Sequence, residues 1–151
     1  MKRWIAIAGT AAIALTMLVG CGGGEEEQPA DVVETAALGP QTLLDAQRLT
    51  VLDQRVRYPK KTPVEISSEI RVLEPGQETG WRRNRVPSYV YVLEGSITMD
   101  YDNGITRDFS AGDAYLEAQG VWHNGTNRGT ERVRILTVHL GARGLVNTAE
   151  R

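Results

Sequence analysis

The chain has 151 residues, 41% of them hydrophobic and 24% charged, with a formal net charge of -2 and a single cysteine. That length supports one domain with a real core and not two. The near-balanced charge excludes a basic nucleic-acid face, so no nucleic acid is expected as a partner, and one cysteine excludes an internal disulfide.

Met1-Lys2-Arg3 is a short positive segment, and Trp4 to Val19 is an almost unbroken apolar run. The run is shorter than the ~20 residues a helix needs to cross a bilayer. It ends in Leu18-Val19-Gly20-Cys21, and small residues just ahead of a cleavage point are expected of a signal peptide. A cysteine directly after them resembles the lipobox of bacterial lipoproteins. The resemblance implies that residues 1–20 are removed and that Cys21 becomes the first mature residue. Cys21 would then carry acyl chains such as palmitate, each buried methylene contributing ~0.8 kcal/mol to membrane binding. The expected location is the bacterial cell envelope, lipid-anchored to the membrane. Gly22, in place of Asp, resembles the outer-membrane-destined class: the periplasmic side in a diderm, the extracellular face in a monoderm. An uncleaved N-terminal helix with an incidental cysteine is the plainer alternative. Loss of Lys2 and Arg3 moves the charge to -2 - 2 = -4, mild acidity that favours solubility.

Gly22-Gly23-Gly24-Glu25-Glu26-Glu27-Gln28-Pro29 has no apolar periodicity and reads as a solvated spacer, giving a flexible tether over 21–40 and a domain over 41–151. Residues 30–48 are ambiguous between a helical turn and a strand lead-in. From Leu49 onward the pattern predicts strand after strand. Val64 to Leu73 alternates in part and stops at Pro75-Gly76. Tyr89 to Leu93 is aromatic and β-branched, apolar on both faces, as in a buried strand. Ile97, Met99 and Tyr101 alternate with Ser96, Thr98 and Asp100, which puts the second set on a wet face. Asn103-Gly104 suits a tight hairpin turn. Ile105–Ser110, Ala114–Glu117, Val121–His123 and Arg132–Leu140 complete the set. Many short strands between glycine turns, with no convincing helix, predict an all-β antiparallel barrel or jelly roll.

Two stretches then count out to known frames. Gly76 is followed after five residues by Arg82-Arg83-Asn84, after three more by Ser88 and after six more by Gly95. Gly112 is followed by Ala118-Gln119-Gly120, then His123 and Asn127. This spacing resembles the two motifs of the cupin family, over about residues 64–142, and looks most like compact single-domain cupins. The family's first motif holds His, His and Glu where this chain holds Arg82, Asn84 and Ser88. The second is nearly whole, with Ala118 replacing Pro and His123 kept. The resemblance implies a small β-barrel, a metal pocket as the family default and, as many cupins form, a homodimer through strand exchange.

Positions 82, 84 and 88 share a parity, so a persistently extended chain points all three into the barrel, where His123 meets them from across the pocket. As metal ligands they are poor. Asn84 offers a weak carbonyl oxygen, Ser88 a protonated hydroxyl, and Arg82 a permanent cation. At an effective dielectric of 20, a guanidinium ~4 Å from a divalent ion costs roughly 8 kcal/mol. No cofactor is therefore expected, the alternative being one divalent transition metal at His123. His139 is read as an ordinary strand residue.

With those replacements the pocket becomes a polar cationic cup. Arg82 suits a carboxylate or phosphate, with Asn84, Ser88 and His123 orienting it. The competing place for Arg82 is solvent, or an ion pair with Glu78 or Glu117. Glu117 and Gln119 are expected at the rim, and Trp81, Tyr89, Tyr91 and Trp122 in the core rather than as pocket walls. No catalytic set stands out, and His123 with Ser88 lacks an acidic orienter for a hydrolase triad. Three functions remain: a membrane-tethered, non-catalytic module for a small anionic or polar ligand; a dioxygenase- or isomerase-like metal enzyme around His123; and a structural or interaction protein with a decayed pocket.

Overall fold

The computed structural model describes residues 39–60 and 63–151. The signal segment, Cys21 and all but the end of the tether lie outside the described residues. Residues 39–48, the described end of the ambiguous stretch, contain no helix.

Nine strands follow: β1 (Val64–Leu73), β2 (Arg82–Asn84), β3 (Ser88–Glu94), β4 (Ser96–Tyr101), β5 (Thr106–Ser110), β6 (Ala114–Leu116), β7 (His123–Thr126), β8 (Val133–Ala142) and β9 (Thr148–Glu150). They form a four-stranded sheet ordered β1-β8-β3-β6 and a five-stranded sheet ordered β5-β4-β7-β2-β9, with antiparallel strand pairing throughout. This is the expected all-β jelly roll. Its core lies between the sheets, built from Val90, Val92, Ile97, Met99, Tyr101, Tyr115, Val133 and Ile135 with Leu73 and Ala118.

Most expected strands stand where alternation puts them. The segment expected at Val121–His123 begins instead at His123 and runs on through Asn124-Gly125, residues with little intrinsic preference for a strand. Pairing overrides propensity there: β4 holds one edge in the register Tyr101↔His123, and Thr79 Oγ1 accepts the Gly125 amide at 2.9 Å. Thr98, placed by alternation on a wet face, is covered, and its hydroxyl donates to Asp108 at 2.6 Å. In β3 only one face is fully buried, Val90 and Val92 inward, while Tyr89 and Tyr91 are half-buried on the outside.

The chain changes sheets between Asn84 and Ser88. Strand β2 belongs to the five-stranded sheet and β3 to the other, with a bend at Arg85-Val86 and the buried Pro87 between them. The extended parity that would carry 82, 84 and 88 to one face is therefore broken, and Ser88 enters the interior from the opposite wall. On the edge strand β1, alternate residues turn outward and leave Val64, Ile66, Ile70 and Val72 exposed.

Candidate functional site

The interior side of the four-stranded sheet follows from its register. Ser67↔His139, Glu69↔Thr137 and Arg71↔Ile135 pair across β1 and β8, and Ser88↔His139 and Val90↔Thr137 across β3 and β8. Side chains at these positions share one face of the sheet, and that face carries Glu69, Arg71, Thr137, Ser88 and His139. From the other sheet, β2 contributes Arg82 and Asn84, and β7 contributes His123. Between the walls lies a narrow cavity of ≈ 40 Å³ lined by polar Arg82, Asn84, Glu117, His123, Thr137 and His139 over an apolar floor that includes Ile97 and Tyr115.

Arg82 is held in it at two points. One terminal nitrogen, Nη2, donates to the Thr79 carbonyl at 2.8 Å, and Nη1 lies 3.7 Å from Glu69 Oε1. Its third nitrogen, Nε, is buried with no hydrogen-bond partner, the one such side-chain atom among the described residues. Burial lowers the guanidinium pKa, with Arg71 adding to the fall and Glu69 and Glu150 opposing it. Its counter-ion is thus Glu69, not Glu78 or Glu117. Glu78 accepts from Asn124 at 2.8 Å, and Glu117 Oε1 accepts from Tyr101 Oη at 2.8 Å and the Ala118 amide at 2.7 Å.

His123 Nδ1 lies 3.1 Å from the Val121 carbonyl, which can only accept. The proton therefore sits on Nδ1, and Nε2 is left as an acceptor in the neutral ring. Asn84 Oδ1 accepts from Thr148 Oγ1 on β9 at 3.0 Å. Arg82, Asn84 and His123 share the cavity lining. Ser88 is fully buried beneath it and engaged elsewhere, its Oγ 2.8 Å from His139 Nδ1 and donating to Val86 O at 3.2 Å.

His139 is the cavity residue that the sequence reading passed over. Its parity with Val133 and Ile135, both buried, was the available signal. Burial lowers its pKa, against the pull of Glu69 and with the push of Arg82. Glu117 is buried rather than at a rim. Gln119 turns away from the cavity, donating through Nε2 to the Arg57 carbonyl at 3.1 Å and accepting the Arg57 amide at 2.9 Å. Trp81 and Trp122 are neither core nor pocket wall: Arg83 lies 4.8 Å over Trp122, and Arg151 lies 5.9 Å over Trp81.

These donors do not fit the metal that the resemblance implies as the family default. Of the positions in question, one presents a guanidinium, one an amide already bonded to Thr148, and one a hydroxyl committed to the opposite wall. Among the described residues no three His, Cys, Asp or Glu side chains cluster as a metal site would require. A guanidinium and an amide suit an anion instead.

Residues 69–139 match the family model described as cupin domain. No curated protein matches the chain. Among solved structures, an uncharacterized conserved protein with a double-stranded beta-helix domain from Klebsiella pneumoniae is similar at 23% identity and a TM-score of 0.50, the match covering 70% of this chain and 99% of that one. Oxalate decarboxylase from Lactobacillus farciminis is similar at 21% identity and a TM-score of 0.49, covering 56% of this chain and 26% of that one. A sugar phosphate isomerase from a cupin superfamily of Silicibacter pomeroyi is similar at 23% identity and a TM-score of 0.45, covering 50% of each chain. The match spans about a quarter of the length of the decarboxylase. These likenesses concern the fold.

Proposed function

From the cupin domain that this chain carries over residues 69–139, we propose a non-catalytic module that binds a small organic anion in a metal-free pocket. The observation that carries the reading is Arg82 Nε, a buried donor on a permanent cation, with no acceptor. An unsatisfied buried donor costs roughly 1–3 kcal/mol, more when charged, and a carboxylate oxygen would recover it as a charge-assisted hydrogen bond. Arg82 grips the anion and the Asn84 amide nitrogen orients it from β2, while His123 borders the pocket from β7. Ser88 acts one step back, through its bond to His139.

Size narrows the ligand. A cavity of ≈ 40 Å³ admits about three water-sized spheres, so the ligand has only a few heavy atoms, as in a small monocarboxylate. On the same reading, Cys21 tethers the domain to a bacterial membrane and the module works at the cell envelope. The metal-enzyme alternative would need ligands that Arg82, Asn84 and Ser88 do not supply.

The test is a thermal melt of the full chain in non-ionic detergent with formate or acetate. Both acids raise the melting temperature of the parent chain by a few degrees, as expected when ligand exceeds the dissociation constant about fivefold. The gain disappears in Arg82→Gln, whose own melt stays cooperative. No gain with either acid, or the same gain in Arg82→Gln, would sink the proposal.

A further inference from the structure

A second, larger cavity lies outside the barrel pocket. It is an open cleft of ≈ 790 Å³ whose lining includes Arg55, Arg57, Tyr58, Lys60 and Arg85 and no acidic residue. None of these four cations has an ion-pair partner among the described residues. All four are exposed, and the Tyr58 ring is 68% exposed. Gathering four cations on one surface is unfavourable without an anion, and solvent screening makes it tolerable.

The cleft is built rather than loose. Residues 54–57 are pinned to the barrel by two glutamines, Gln54 clasping the Gln119 backbone and Gln119 clasping that of Arg57. Gln54 Nε2 donates to the Gln119 carbonyl at 3.1 Å, and Gln54 Oε1 accepts the Gln119 amide at 3.0 Å. The Gln119 side chain in turn makes its two bonds to the Arg57 backbone. Arg85 joins from the β2–β3 bend, its own amide fixed to the Asn147 carbonyl at 2.8 Å. Arg55, Arg57 and Arg85 thus present their side chains from anchored backbones, which lowers the ordering cost of binding.

We infer that this cleft is a separate site for a phosphate-bearing ligand, with the phosphate on Arg55, Arg57, Lys60 and Arg85 and its organic part against the Tyr58 ring. A phosphate monoester brings about -1.5 to -2 charges and three acceptor oxygens, which matches several cations better than a carboxylate does. The volume lies within the ~300–1,000 Å³ of small-molecule sites, far above what a lone oxyanion fills. The exposed ring supplies a stacking face for what is attached to the phosphate. A soluble phosphate monoester and the monoester headgroup of phosphatidic acid share this chemistry.

Titration calorimetry on the full chain in non-ionic detergent is the test, with adenosine 5′-diphosphate, with inorganic phosphate and with a water-soluble short-chain phosphatidic acid. Binding of the diphosphate places the ligand among soluble phosphoesters, and binding of the short-chain phosphatidic acid alone identifies a headgroup. In either case the double variant Arg57→Gln/Arg85→Gln weakens it at least about tenfold, and Arg82→Gln leaves it unchanged, which keeps the two sites apart. Tyr58→Ala weakens the diphosphate and spares inorganic phosphate. The inference falls if neither probe binds at about 1 mM, or if binding survives the double variant. It also falls if inorganic phosphate alone binds as tightly as the diphosphate.

Discussion

The two motif stretches, Gly76–Gly95 and Gly112–Asn127, have fared differently. The second keeps its frame and its histidine. The first keeps its frame and holds Arg82, Asn84 and Ser88 where the family it resembles holds His, His and Glu. The structure explains how these can separate. Gly76, Gly95, Gly112 and Gly120 all adopt positive φ, between 73° and 95°, where only glycine is unstrained. Asn127 is fully buried, donating to Leu73 O at 2.9 Å and Glu131 O at 2.8 Å and accepting the Gly129 amide at 3.0 Å. These residues build turns and tie strands. Arg82, Asn84 and Ser88 build no turn, so the glycine frame does not depend on which side chains they carry. Frame and ligand set are two layers of one motif.

The comparison breaks if a frame residue is replaceable or a ligand position is not. Gly95→Ala should be the most damaging: a Cβ there would lie 2.5 Å from the Arg132 carbonyl oxygen, at φ +73°. Backbone strain and overpacking together predict a loss of about 4 kcal/mol in urea unfolding. Asn127→Ala leaves two carbonyls and an amide without their partner and should cost about 2–3 kcal/mol by the same measurement. Arg82→Gln, by contrast, is expected to change stability little while abolishing the response to formate and acetate. A frame variant as stable as the parent, or an Arg82 variant as damaged as Gly95→Ala, would refute the separation.

The smallest effect is on pH. His139 faces Glu69 and Arg71 from β1, Arg82 from β2 and Ser88 from β3. Its pKa lies below the ordinary 6.5, chiefly through burial. Well above 6.5 the ring is neutral in folded and unfolded chains and adds nothing. As the pH falls through 6.5 the unfolded chain takes up the proton first, so stability declines. A bound carboxylate offsets this by favouring the imidazolium, and acetate should therefore bind more tightly at pH 5.5 than at pH 7.5. His139→Gln should flatten that dependence, and an unchanged slope would remove His139 from the site.

Most of the fold was legible from the glycine turns and the alternation of β1, β4 and β8, because a period of two survives wherever one sheet face is buried. Strand β9 was not, since three residues carry no period, and β7 was misplaced because its pairing outweighs its residue types. In the site, spacing alone located Arg82, Asn84 and His123. It could not place Ser88, because the change of sheets at Arg85–Pro87 is a tertiary event that parity arithmetic assumes away. Nor could it find Glu69 as the partner of Arg82, an interaction across two sheets.

Strand β2 has a further consequence. It carries Arg82 and Asn84 on only three residues, and its partners are distant: His123 on one edge and Thr148–Glu150 on the other, the Asn84–Thr148 contact spanning 64 positions. Such pairing is paid for in loop-closure entropy before any contact rewards it, so β2 settles after the local β4–β5 hairpin. A short strand with a three-residue edge partner is also where the barrel opens at least cost. Loosening of β9 from β2 would therefore reach Arg82 and Asn84 through the backbone pairing that holds them in place.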